Sequence, residues 1–196
     1  AIRKRSFPIP SFDEWTKQIK IWKKQLRSVD KEMRIEAKSG EVYDFFEKIS
    51  SSIGLDEVIL TDTGCSLPWL MQAFHFKGQQ RFFHDFNNTA MGWALPASIG
   101  ANFANNSKEK ICIVGDGSFM MTMQELATVL HHKINLKLLI INNSGYSMIK
   151  QTQDQWLGSN YVASSEEGGL SFPDYQKIAE AFKLNYIELS NSADID

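Results

Sequence analysis

Two cysteines, five prolines and no apolar run of membrane-spanning length are what this 196-residue chain has in short supply. Two cysteines cannot build a disulfide framework, and Cys112 sits inside an apolar run, so a reducing, cytoplasmic setting is expected. The lack of any stretch of about 20 apolar residues argues against a membrane role. No secretory signal precedes the first charged residues, Arg3, Lys4 and Arg5. Excess charge is missing too: 21 Lys and Arg face 23 Asp and Glu, a net of −2 at pH 7, which disfavours a nucleic-acid partner. The one uneven stretch is 1–27, with eight basic residues against Asp13 and Glu14; it reads as a solvated helix face and tail. The chain begins at Ala rather than Met, the mark expected of a trimmed or excised piece.

What is present is enough for one core. Apolar residues make up 43% of the chain, which supports one domain plus an appendage. Ser11-Phe12-Asp13-Glu14 has capping-box form. Behind it Trp15, Ile19, Trp22 and Leu26 make one helical stripe over about 12–26. Residues 28–38 are polar and read as a linker, so the boundaries expected are 1–38 for helix and linker and 39–196 for the main domain. From 40 onward helices and strands alternate. Helices are expected at about 41–52, 66–75, 91–105, 121–132 and 146–155, with one more running to about 182 and Pro173 in its first turn. Strands are expected at Val58–Thr61, Arg81–His84, Ile111–Val114, Leu138–Ile141 and Tyr186–Leu189. The alternation implies an α/β fold, a doubly wound parallel sheet flanked by helices.

Chemistry concentrates where two apolar runs end. Ile111-Cys112-Ile113-Val114 runs into Gly115-Asp116-Gly117-Ser118, and Leu138-Leu139-Ile140-Ile141 runs into Asn142-Asn143. Neighbouring parallel strands release their loops at the same sheet edge, where open α/β folds bind ligands. Asp116 would supply a carboxylate and Asn143, 27 positions later, an amide oxygen. A tight turn through Ser144-Gly145 would aim the Gly145 carbonyl at the same point. Such an oxygen set suits Mg²⁺, which shares its coordination with phosphates. The amides of Gly117 and Ser118, opening a helix, would take the phosphate.

The run from Gly115 to Asn143 resembles the cofactor signature of thiamine-diphosphate enzymes. The wider stretch, about 58–190, is similar to the cofactor-binding C-terminal domain of the acetolactate synthase and pyruvate decarboxylase group. Thr63-Gly64-Cys65-Ser66 stands where that family places a first diphosphate loop. Thr89-Ala90-Met91-Gly92-Trp93-Ala94-Leu95-Pro96-Ala97-Ser98-Ile99-Gly100 resembles its Met-Gly-x-x-Leu-Pro-Ala-x-Ile-Gly segment. Gln124-Glu125-Leu126-Ala127-Thr128 matches the helix after the metal turn.

The resemblance implies thiamine diphosphate with Mg²⁺ held by Asp116, Asn143 and the Gly145 carbonyl. Gly64, Cys65, Ser66, Gly115, Gly117 and Ser118 would line the diphosphate. Met91 would wedge under the thiazolium, and the Thr89 carbonyl would accept from the aminopyrimidine amine. Tyr146–Gln153, with Met148, would face cofactor and substrate. It further implies a 2-keto-acid decarboxylating carboligase or lyase, acting as a homo-oligomer. The family's activating glutamate comes from a pyrimidine-binding domain that no segment here resembles, so no catalytic residue is expected in this chain. A noncatalytic module binding a diphosphate or nucleotide is the alternative. Cys65-Ser66 departs from the Gln-His common in acetolactate synthases, and the run after Asn143 departs as well. The loop 157–171 resembles a mobile segment that closes over the cofactor.

Overall fold

The computed structural model describes residues 11–25 and 40–195. The linker at 28–38 and the basic residues of 1–10 lie outside them. The first helix, α1, covers Asp13–Gln25. Ser11 does cap it, its hydroxyl accepting from the Asp13 amide at 3.3 Å. Glu14, however, pairs outward with Lys17 at 2.8 Å, so the reciprocal half of the capping box is not made. None of the α1 residues is buried. Trp15 and Trp22 meet edge to face at 5.5 Å and remain 56% and 41% exposed.

The remaining elements alternate as expected. Helix α2 (Gly40–Ser52) leads to β1 (Val58–Thr61), α3 (Ser66–Ala73), β2 (Arg81–Phe83), α4 (Ala94–Ala104) and β3 (Lys110–Gly115). Then follow α5 (Asp116–Met120), a short 3₁₀ turn (Met123–Glu125), α6 (Leu126–His131), β4 (Leu136–Ile141), α7 (Ser147–Trp156) and α8 (Tyr175–Ala181). The four strands form one parallel sheet in the order β2-β1-β3-β4.

Strand side chains alternate between faces, and each face has its own helices. Leu60, Cys112 and Val114 point to one side, against Leu95 and Ile99 of α4, Phe119 of α5 and Leu126 and Val129 of α6, with Ile178 of α8 at the margin. Ile59, Ile111 and Ile113 point to the other, against Phe46 of α2 and Leu70 and Ala73 of α3. The sheet is therefore doubly wound. From β1 the chain steps outward to β2, then returns across to β3. The topological switch lies between β1 and β3, and ligand crevices in open α/β sheets form there.

Four local expectations are corrected. The helix expected from 91 begins at Ala94, because Gly92 takes a left-handed φ of +81° and no helix can run through it. The helix expected at 121–132 starts late: the chain turns through Met121 and Thr122 and a 3₁₀ turn before α6 begins at Leu126, and the short α5 ahead of it was not expected. Pro173 sits outside α8, whose N-cap is Asp174, accepting from the Lys177 amide. Tyr186–Leu189 is not a strand, and Ile187 is 81% exposed. Its direction is set upstream, where Lys183 goes left-handed and the Leu184 amide reaches back to the Ala179 carbonyl. That closure ends α8 without delivering the next residues to the edge of β4.

Candidate functional site

In the β3–β4 register Gly115 stands opposite Ile141. Asp116 and Asn142 therefore leave the sheet at one level. The Asp116 side chain turns back under the second loop. Its Oδ2 accepts from the amides of Asn143 and Gly145, both at 3.1 Å, and its Oδ1 from Gly117 at 2.7 Å. Asp116 is 2% exposed. Burial pushes its carboxyl above the ordinary aspartate range, and the surrounding amides, led by Gly117, only partly pull it back. No ammonium or guanidinium contributes to that balance. The carboxylate's charge is thus met by backbone amides alone.

The expected turn through Ser144-Gly145 has its left-handed residue at Ser144, φ +54°. At Gly145 a Cβ would lie 2.6 Å from the Ser164 carbonyl oxygen, which requires glycine there. Among the described residues no backbone bond uses the Gly145 carbonyl. The Gly117 amide, expected to face a phosphate, is instead donated to Asp116. The ring of Tyr146 covers Gly117, where a Cβ would fall 2.0 Å from Tyr146 Cε1.

A cavity of about 110 Å³ opens at this edge. Of the residues singled out by sequence, Gly64, Cys65, Ser66, Met91, Gly115, Asp116, Gly117, Ser118, Asn143, Gly145 and Met148 all line it; Thr89 does not. Tyr146 and Ile149, from the run expected to face cofactor and substrate, join them, as does Trp69, which was not singled out. At the β1 exit the hydroxyls of Thr63 and Ser66 are buried with no partner. Orphaned hydroxyls in a lined cavity fit a ligand rich in acceptor oxygens, as a diphosphate is. Among the described residues no three His, Cys, Asp or Glu side chains cluster as metal ligands.

Sequence reasoning missed Asp62. It is 1% exposed at the end of β1, and its carboxylate accepts from Gly92 at 2.9 Å, Trp93 at 3.2 Å and its neighbour Thr63 at 3.1 Å. The Gly92 amide is shared with the Ser118 hydroxyl at 3.0 Å. Ser118, expected at the diphosphate, thereby also holds the segment that carries Met91. Two residues before Met91, Thr89 sits at φ +50°, which costs a β-branched residue about 1–2 kcal/mol. Its amide is tied to the Asp85 carbonyl at 2.8 Å. The only signal for Asp62 was a carboxylate ending an apolar strand, and two of its three partners, Gly92 and Trp93, lie 30 and 31 residues away.

Glu125 stays within its own turn, accepting from the Thr128 hydroxyl at 3.1 Å. His131 and His132 meet edge to face at 4.7 Å at the end of α6. The two thiols differ sharply. Burial raises Cys65 above the ordinary thiol value, and it raises the fully buried Cys112 to about 12. A thiol reagent at pH 7 is therefore expected to modify Cys65 slowly and Cys112 only after unfolding. Mass spectrometry of the labelled chain checks this; prompt labelling of Cys112 in native protein would mean that the sheet opens locally.

Comparison with known proteins places this cleft in a family. Residues 62–196 match the family described as thiamine pyrophosphate enzyme, C-terminal TPP binding domain. The acetolactate synthase large subunit of Porphyra purpurea is 33% identical over 147 residues, 75% of this chain and 24% of that protein. The isozyme 1 large subunit of Escherichia coli K12 is 30% identical over 152 residues, 78% of this chain and 26% of the relative. The mitochondrial catalytic subunit of Saccharomyces cerevisiae is 28% identical over 192 residues, 97% of this chain and 27% of that protein. The chain spans about a quarter of the length of these relatives. With the β1 and β3 exits meeting at the switch point and the matched region covering all four strand exits but no fewer than two thirds of the chain, this chain belongs to the thiamine pyrophosphate enzymes, as their C-terminal TPP-binding domain.

Proposed function

We propose that the cleft binds the diphosphate end of thiamine diphosphate together with Mg²⁺, within an enzyme of acetolactate synthase type acting on a 2-keto acid. The observation that carries this reading is Asp116, a buried carboxylate facing backbone amides, at the switch point beside two unpartnered hydroxyls. Asp116, the Asn143 side chain and the Gly145 carbonyl would hold the ion. Thr63 and Ser66 would donate their hydroxyl protons to phosphate oxygens. Met91, fixed by the turn at Gly92, would support the thiazolium, and the rigid Thr89 carbonyl would orient the amine. When bound, the cofactor supplies the carbon nucleophile and electron sink that decarboxylation of a 2-keto acid requires. Trp69, Met148 and Ile149 would exclude water from the mouth of the cleft.

Among the described residues Asp116 is the one acidic side chain lining the cleft, so activity would require a pyrimidine-binding domain, from elsewhere in the same protein or from a second copy. The exposed stripe of α1 would pack on such a neighbour, and residues 39–196 would form the binding unit.

Calorimetric titration tests the reading. Thiamine diphosphate is expected to bind measurably with Mg²⁺ and at least about tenfold more weakly in EDTA, since the ion neutralises phosphates and carboxylate together. Equal binding with and without Mg²⁺ would instead favour a metal-independent diphosphate module.

A further inference from the structure

The loop 157–171, which resembles a mobile closing segment, is fastened to the turn that carries Gly145. Gly145 and Ser165 form an antiparallel bridge. The Tyr146 amide donates to the Ser164 carbonyl at 3.1 Å, and that same oxygen occupies the space a side chain at 145 would need. Ser164 is fully buried, and its hydroxyl donates to Gln153 Oε1. Gln153, 7% exposed on α7, donates from Nε2 to the Val162 carbonyl at 3.0 Å. Its own carbonyl accepts from the amides of both Leu157 and Ser159 at 3.0 Å. One glutamine therefore holds the loop at both its start and its middle. The loop in turn fixes Ser164, and Ser164 fixes Gly145, whose amide bonds Asp116.

We infer that Gln153 and Ser164 form a latch that sets the aim of the Gly145 carbonyl, and so tunes the metal site without touching the metal. The inference rests on the reading of Asp116, Asn143 and Gly145 as the ion's ligands. Both residues are positioning residues. The latch's carboxamide and hydroxyl satisfy each other in a dry setting, where a lost partner is felt most. Mg²⁺ demands near-octahedral geometry at short distance, whereas Ca²⁺ tolerates longer and irregular sets. Loosening a carbonyl should therefore cost Mg²⁺ more than Ca²⁺.

The test uses Gln153→Met, which keeps length and apolar bulk, and Ser164→Ala, which breaks the same bond from the other side. Mg²⁺ and Ca²⁺ are titrated in saturating thiamine diphosphate, beside wild type and Asp116→Ala. Each latch variant is expected to weaken Mg²⁺ by about 10-fold, the scale typical of groups that support a metal ligand, and Ca²⁺ by roughly threefold or less. The double variant should be no weaker than the worse single, because the bond that Ser164→Ala removes is one of the two that Gln153→Met removes. Equal loss of both ions, or no loss, overturns the latch. If Asp116→Ala leaves Mg²⁺ binding intact, the ligand assignment itself fails and the latch with it. If Asp116→Ala abolishes binding while the latch variants match wild type, only the latch fails.

Discussion

Asp116→Ala is expected to lower the affinity for thiamine diphosphate in Mg²⁺ by at least about 100-fold, beyond the roughly 10–100-fold typical of residues that only support a metal ligand. The same position should act oppositely on the free protein. Burial raises the Asp116 carboxyl above its ordinary 3.8, so the folded chain holds that proton to higher pH than the unfolded chain does. A raised carboxyl means that stability falls as pH climbs from about the unfolded value through the folded one. At neutral pH the ionised group is thus a burden on the metal-free fold. Asp116→Asn removes the charge and keeps one of the two acceptor oxygens. Its stability relative to wild type should be highest at pH 7, while Mg²⁺-dependent binding is lost. That relative gain should shrink as pH falls through the raised titration of the folded wild-type carboxyl towards its ordinary 3.8. Urea unfolding of the two proteins across pH, without metal, checks the sign. A wild type more stable than Asp116→Asn at pH 7 and equal to it in acid would refute it.

The second large effect is on stability alone. Asp62→Ala removes the acceptor of the amides of Gly92, Trp93 and Thr63 in one step. A buried donor left without a partner costs about 1–3 kcal/mol. The Gly92 amide retains Ser118, and neighbouring losses are not additive, so a total near 3 kcal/mol is expected. At roughly 2–4 °C per kcal/mol for a chain of this size, the midpoint of thermal unfolding should drop by about 6–12 °C. Asp62→Asn keeps one oxygen and should lose less than half as much. A loss below about 1 kcal/mol for Asp62→Ala would show that water replaces the carboxylate, and that the 89–93 segment is held by something else.

The contrast between these two aspartates shows what sequence could and could not reveal. β1, β3 and β4 were legible because each is a run of apolar residues bounded by turn chemistry, and their shared edge follows from parallel pairing. Asp116 and Asn143 were legible because they terminate two such runs. Asp62 also terminates one, yet two of its three partners are amides 30 and 31 positions away with no side-chain signature. Gln153 and Ser164 were illegible for the same reason: a carboxamide bonded to a hydroxyl across a loop leaves no spacing to read. The late start of α6 was hidden because Met121 and Met123 continue the apolar pattern ahead of Leu126. At Tyr186–Leu189 the pattern of a strand is present, but a strand exists only where pairing supplies its hydrogen bonds, and the close of α8 directs these residues elsewhere.

The forked bond from the Gly92 amide has a consequence for how the cleft moves. One proton is claimed at once by a carboxylate ending β1 and by a hydroxyl following β3. The floor beneath Met91 and the turn beside Asp116 are therefore coupled, since moving either one breaks one of the two bonds to a single proton and leaves the other. In deuterated solvent that proton exchanges only when both grips let go, and its rate of replacement is a clock for the rigidity of the entire cradle.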